Sequence, residues 1–442
     1  MLRRAAFHTL ALALSLVLLR SQTGASDPAI SGLLTKLESE PQNAQLCEQI
    51  GVAYTRVGDF ESAASFFRKA LQINPRRIPA RKNLATVLWF GGHKKESVEI
   101  FGALEKEIPS DQVPPLYLGL HAFEQKDFAR ASSFFQRAGS LASGNPEVIP
   151  VLIETDLAVG RFDSAKRLVE ARLAALSQAP RSPEEVSQDY RWLAEAHDGL
   201  KSPNAAYRAY EQAIEHGPDL EDNYLALGVF AIDHANNAFA RSTLSRGLQH
   251  HPNSPKLAMQ MGLTWAVEGD FEKAREFFDA AAREDPHWVL PVLAAGIAYL
   301  QAGDPKAAAA VFGKARELAP DDYRAYYLRA TAMGRSNPGP AERTEMIADL
   351  RQAIALNPRQ ARVRTALAQA LILSDAPSAE AQLREALRID PAEPSALYQL
   401  ALLSRRQGKT AEAERLSRAF QAARAKSRED ENELVWILKT PK

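Results

Sequence analysis

The sequence predicts an all-α chain: an α-solenoid of about eleven antiparallel helix pairs, each unit 34 residues long. Three observations carry this prediction. Prolines recur at a fixed interval, with Pro41, Pro75 and Pro109 spaced by 34 residues and Pro218, Pro252, Pro286 and Pro320 spaced likewise. When each of these prolines is set at position 32 of a unit, small residues fall at positions 8 and 20 and bulky ones at 11 and 24. Within each half-unit the apolar residues recur at intervals of three and four, the spacing of one helix face.

The stretch GDFEKAREFFDAAAREDP, residues 269–286, shows why the register has to be found first. Alone, its acids read as a candidate reaction centre. Set beside GDFESAASFFRKALQINP, residues 58–75, it becomes one half of a repeating unit. Position 8 is glycine or alanine in ten units, as at Gly51, Ala85, Gly262 and Ala330, and position 20 is small in ten, as at Ala63, Ser97 and Ala274. Small residues there let two helix backbones approach, and large residues at position 24 (Phe67, Phe101, Phe278, Leu350) fill the space beside them. Near positions 15 and 16 stand Gly58-Asp59, Lys126-Asp127, Gly269-Asp270 and Gly303-Asp304. Glycine ends the first helix and aspartate caps the second. Proline then stops the second helix, having no backbone N–H to donate.

On these residues the chain resembles the tetratricopeptide repeat family over nearly all of residues 44–426. Units start near Ala44, Ile78, Gln112, Pro146, Ser187, Glu221, Pro255, Val289, Tyr323, Ala361 and Pro394. The resemblance implies a right-handed superhelix with first helices lining a concave groove. Departures are visible: unit 4 lacks the closing proline and has Arg172 where a small residue is usual, and unit 9 has Arg329 at position 7 and Met346 at position 20.

Reading from the N-terminus, residues 1–25 have the form of a secretory signal peptide: Arg3 and Arg4 precede an apolar run from Ala5 to Leu19, and Thr23-Gly24-Ala25 offers small residues for cleavage. An uncleaved anchor is the alternative, although the run is shorter than the ~20 residues of a spanning helix. Export to the periplasm or cell envelope of a bacterium is expected, with no membrane span after cleavage. The single cysteine, Cys47, and the lack of any glycosylation sequon agree with that compartment. Residues 26–43 read as an N-terminal capping helix, 44–176 as units 1–4, 177–186 (SQAPRSPEEV) as a linker and 187–426 as units 5–11. Residues 427–442 form a tail with the apolar run Leu434-Val435-Trp436-Ile437-Leu438, expected to pack back on the last helices or dock a partner.

The resemblance places positions 2, 5, 9, 12 and 13 of each first helix in the groove. Those positions give two apolar patches, one of Trp89, Phe90, Leu116, Leu120 and Phe123, the other of Leu225, Val229, Ile232, Met259, Leu263, Leu293 and Ile297. Contiguous exposed apolar surface marks interaction sites, so a protein partner of unknown identity is expected, with self-association left open. Position 9, which includes Glu154 and Glu195, holds no asparagine, which argues against a chaperone-carboxylate clamp of the kind some family members carry.

Other function classes find little support. With 54 basic and 54 acidic residues no field favours nucleic acid. No zinc-protease, phosphate-loop or serine-nucleophile motif occurs, so no catalytic residue, cofactor or metal is assigned. His216, His250 and His251 are explained by the dipole at helix C-termini. The chain is therefore read as a non-enzymatic scaffold of the cell envelope. The alternative is a periplasmic assembly or export factor for an envelope polysaccharide or secretion complex, for which Trp89 and Phe90 are the one aromatic pair placed to stack on a sugar.

Overall fold

A computed structural model describes residues 28–177 and 179–426. The readings for residues 1–25 and 427–442, signal and apolar tail, lie outside the described residues. Among those described, 24 α-helices follow one another with no strand, an all-α solenoid. The chain divides into two compact units, one ending at Gly217 and the other beginning at Pro218.

In the first unit the helix Pro28–Ser39 packs on Ala44–Arg56, where Leu37 joins Leu46, Cys47 and Ile50 in one buried cluster. Helix pairs follow: Ala44–Arg56 with Phe60–Ile73, Ile78–Phe90 with Lys94–Glu107, and Val113–Glu124 with Phe128–Ala138. Ile149–Ala158 then pairs with Phe162–Ala174, and Pro183–Gly199 with Pro203–His216. Burial pushes the Cys47 thiol up from its ordinary range, so the side chain behaves as a small hydrophobe.

The second unit has six pairs, opened by Glu221–Asp233 with Asn237–His250 and closed by Pro394–Arg406 with Thr410–Lys426. Its first helices begin at Glu221, Pro255, Val289, Tyr323, Ala361 and Pro394, the residues at which the repeat register starts a unit.

Turn chemistry explains why the register is so regular. Position 15 has positive φ at Gly58, Gly92, Gly160, Gly269, Gly303 and Gly408, and also at Lys126, Lys201, Ala235 and Asn337, where a side chain tolerates a conformation that glycine adopts freely. In four of these units the next residue is an aspartate that caps the second helix. Asp59 accepts from Ser62 N at 3.0 Å, Asp127 from Arg130 N at 3.1 Å, Asp270 from Lys273 N at 3.1 Å and Asp304 from Ala307 N at 3.0 Å.

The two helices of a pair meet where position 8 faces position 24. A Cβ added to Gly262 would lie 2.5 Å from Phe278 Cε1, one on Gly296 2.4 Å from Phe312 Cε1, and one on Gly119 2.7 Å from Phe135 Cε1. Phe278 and Phe312 are wholly buried.

The departures from the repeat carry buried ion pairs. Asp189 is fully buried and takes Arg172 Nε at 3.0 Å and the guanidinium of Arg181, which also donates to Arg172 O at 2.7 Å. Arg181 belongs to the 177–186 insertion, which is thus tied down inside the first unit. Ser182 and Glu185 then form a capping box opening the next helix. Arg329 bonds Asp349 at 2.6 Å, and Arg316 reaches the same carboxylate at 3.0 Å. Each unusual arginine therefore has a buried acid to meet.

Two outcomes follow. Gly262→Ala should cost about 1–3 kcal/mol by overpacking, read by denaturant unfolding. Adding Phe278→Leu should recover part of this, because alanine and leucine already occupy positions 8 and 24 at Ala330 and Leu350. Asp189→Ala should cost about 3–5 kcal/mol, since Arg172 and Arg181 would be left without their acid.

Candidate functional site

The structure separates the residues of the expected groove by burial. In the first unit Trp89 is 4% exposed, packed edge-on to Tyr117 at 5.5 Å with Lys94 Nζ 4.7 Å above its ring. Leu116 and Leu120 are buried too, so these three hold the helices together. Phe90 and Phe123 stay partly exposed. In the second unit Met259, Leu293 and Ile297 are buried. Leu225, Ile232 and Leu263 are half-buried, and Val229 is 38% exposed. Heptad-like spacing marks a helix face as apolar but does not say whether a neighbouring helix already covers it.

Phe123 leads to a recess that the apolar-patch reading passed over. Its ring sits 5.8 Å from that of Phe128, and Phe128 is one wall of a recess of about 350 Å³ with Leu157, Ala158, Phe162 and Trp192. Two carboxylates, Glu154 and Glu195, complete the lining. Each element places its residue for a local reason. Glu154 lies on Ile149–Ala158 and Glu195 on Pro183–Gly199, both at position 9 of their units. Phe128 and Phe162 are the first residues of their second helices, just after the turn. Gly199 fixes Phe162: a Cβ there would come within 2.4 Å of the ring.

The electrostatics are unusual for acids in a solenoid groove. Burial holds the Glu154 carboxyl above the usual glutamate range, with no cation offsetting it. Burial also raises Glu195, opposed by Arg191 and assisted by the charge of Glu154. The Glu195 side chain is nonetheless exposed, although it lines the recess. Two acids facing one apolar space repel each other and are relieved by a cation. The chemistry fits an alkylammonium or guanidinium on an apolar stem. The sequence did carry a signal, glutamate at position 9 in two consecutive units.

His216 and His250 each meet a neighbouring side chain. His216 stacks on Tyr190 at 5.1 Å, and His250 Nδ1 lies 3.2 Å from Asp219. No group of three or more metal-ligating side chains occurs among the described residues. No described helix is long and apolar enough to cross a membrane.

Comparison with known proteins places the repeat in a family. Models of the tetratricopeptide repeat match residues 44–77, 225–287 and 268–332. The chain is 24% identical over 326 residues to Protein CTR9 homolog of Arabidopsis thaliana, covering 72% of this chain and 29% of that one. It is 24% identical over 193 residues to the BBSome complex member BBS4 of Bos taurus, covering 43% and 36%. The chain thus spans about a third of the length of the curated relatives it matches. Among solved structures, yeast Tom70 aligns over 91% of this chain and all of its own, at 16% identity and a TM-score of 0.38. Register, helix pairs and family matches together make this chain a tetratricopeptide repeat protein.

Proposed function

We propose that the protein is a non-enzymatic scaffold that seats a basic, apolar-flanked segment of a partner protein against the first helices of its first unit. As a tetratricopeptide repeat protein it belongs to a class that serves protein–protein interaction. The observation that carries the finer reading is the recess of Phe128, Phe162 and Trp192 with Glu154 and Glu195 at its opening. Aromatic walls take the apolar stem of a lysine or arginine, and the carboxylates take its head. Phe90 and Phe123 continue the apolar surface beside it. The paired arginines, apolar run and small residues of the N-terminal sequence support a bacterial-envelope location for this task. The glycan alternative loses its support, because Trp89 is buried under Lys94 and beside Tyr117.

A photo-crosslinking residue at the exposed Ala158 should capture the partner in cells, and its crosslinked peptide should contain lysine or arginine. Glu154→Lys with Glu195→Lys should weaken the purified complex by at least about tenfold without loss of helicity, the effect of removing charged hydrogen bonds. Unchanged affinity in that variant would overturn the reading.

Binding should also depend on pH. Both carboxylates titrate above the ordinary glutamate range, so the recess gains negative charge only as pH rises through those raised values, and affinity for a cationic segment should rise with it. Glu154→Gln with Glu195→Gln should flatten the profile. Stability runs in the opposite sense. Folding favours the neutral form of Glu154, a contribution present below the ordinary glutamate range and lost as pH rises through the raised value. Glu154→Gln should therefore raise the melting temperature at neutral pH and leave it unchanged in acid.

A further inference from the structure

Each unit has a recess, and the two differ in charge. The larger, about 1010 Å³ in the second unit, is lined by Arg335, Arg343 and Arg362 together with Asp390 and Glu393, so base and acid stand in one place. The recess of the first unit has Glu154 and Glu195 and no basic residue in its lining. Glu154 is half-buried, and among the described residues it has no hydrogen bond and no ion pair. How this protein pairs its other acids shows which cation suits such a place. Among the described residues four acids are buried, Asp156, Asp189, Asp322 and Asp349. Each is held by arginine and none by lysine: Asp156 by Arg161 at 3.5 Å, Asp189 by Arg172 at 3.0 Å and by Arg181, Asp322 by Arg324 at 2.7 Å, and Asp349 by Arg316 and Arg329 at 3.0 and 2.6 Å. The acids that lysines hold keep more water, with side chains from 15% exposed at Asp111 to 51% at Glu170, against 9% at most for the buried four. Hydration is the physical reason. An ammonium is a compact, strongly hydrated charge, whereas a guanidinium is weakly hydrated and presents a rigid planar fork of donors to a carboxylate.

We propose that the recess of the first unit selects arginine over lysine, so that the partner's anchoring side chain is a guanidinium seated among Phe128, Phe162 and Trp192 and donating to Glu154 and Glu195. This rests on the reading of the recess as the seat of a basic partner segment, and it narrows that reading to one residue type. Desolvation raises both carboxyls, the sign of a place poor in water, where a strongly hydrated cation is at a disadvantage. The apolar side chains of the lining offer a lysine head no acceptor beyond the same two carboxylates, whereas a guanidinium also packs its plane on apolar and aromatic surface. The partner's arginine then does for Glu154 what Arg161, on the same repeat, does for Asp156.

Titration of the full chain with acetylated, amidated peptides tests it. The peptides are Leu-Arg-Leu, Leu-Lys-Leu and Leu-citrulline-Leu, and binding is read from the indole N–H resonance of Trp192, assigned with Trp192→Phe. The arginine peptide should bind at least about tenfold more tightly than the lysine peptide, and the citrulline peptide, close in shape but uncharged, should not bind. Glu154→Gln should erase most of the preference, in a protein that already carries glutamine at position 9 at Gln369. Equal affinity for the arginine and lysine peptides would overturn the selectivity and leave the basic-segment reading standing. A preference unchanged in Glu154→Gln would also overturn it, since the discrimination would then come from elsewhere. Binding of none of the three peptides, or of citrulline as tightly as arginine, would overturn both.

Discussion

The structure depends on how closely two helix backbones can approach where position 8 meets position 24. At Gly262 and Gly296 a phenylalanine ring occupies the space a Cβ would need, and a methyl there would lie 2.5 Å or less from the ring. Every other feature of a unit follows from holding that contact. The left-handed residue at position 15 reverses the chain within two residues, the aspartate after it satisfies the next helix's first N–H groups, and the proline at 32 ends the unit before the next first helix begins. Among the described residues the main helix contacts fall between near neighbours in sequence, so the contact is repeated rather than extended.

Where the array departs from its pattern, packing gives way to charge. Arg172 and Arg329 stand at positions where other units have small or apolar side chains, and each is held by a buried carboxylate, Asp189 and Asp349. Burying such pairs has a desolvation penalty, offset only when the remaining hydrogen-bonding capacity is met. Asp189 meets it with two arginines, one from the insertion at 177–186, so an interruption that reads as a loose loop becomes an anchored one. Asp349 does the same with Arg316 and Arg329.

The recess of the first unit shows the same economy of position. Position 9 is apolar at Val52, Leu120, Val229 and Leu263, yet glutamate at 154 and 195. An acid in an apolar lining is costly to its own ionisation, and desolvation raises both carboxyls. The second unit's recess differs in lining, with Arg335, Arg343 and Arg362 beside Asp390 and Glu393.

The sequence by itself determined the helix-pair unit, its register and its caps. Glycine, proline and aspartate act through the backbone within a few residues, and their spacing reports those effects directly. Asp59, Asp270 and Asp304 cap as their position requires, and six first helices of the second unit begin where the prolines place them. Only the tertiary structure decided which apolar residues are free. Trp89, Ile297 and Val229 look alike on a helical face, yet a neighbouring helix buries the first two and leaves the third exposed. Tertiary structure also brought Glu154, 41 residues before Glu195, to one opening, and gave Arg172 its acid. Periodicity records the direction a side chain takes from its own helix. What it meets there depends on the distance and angle of another helix, and those are set by packing that no local pattern encodes.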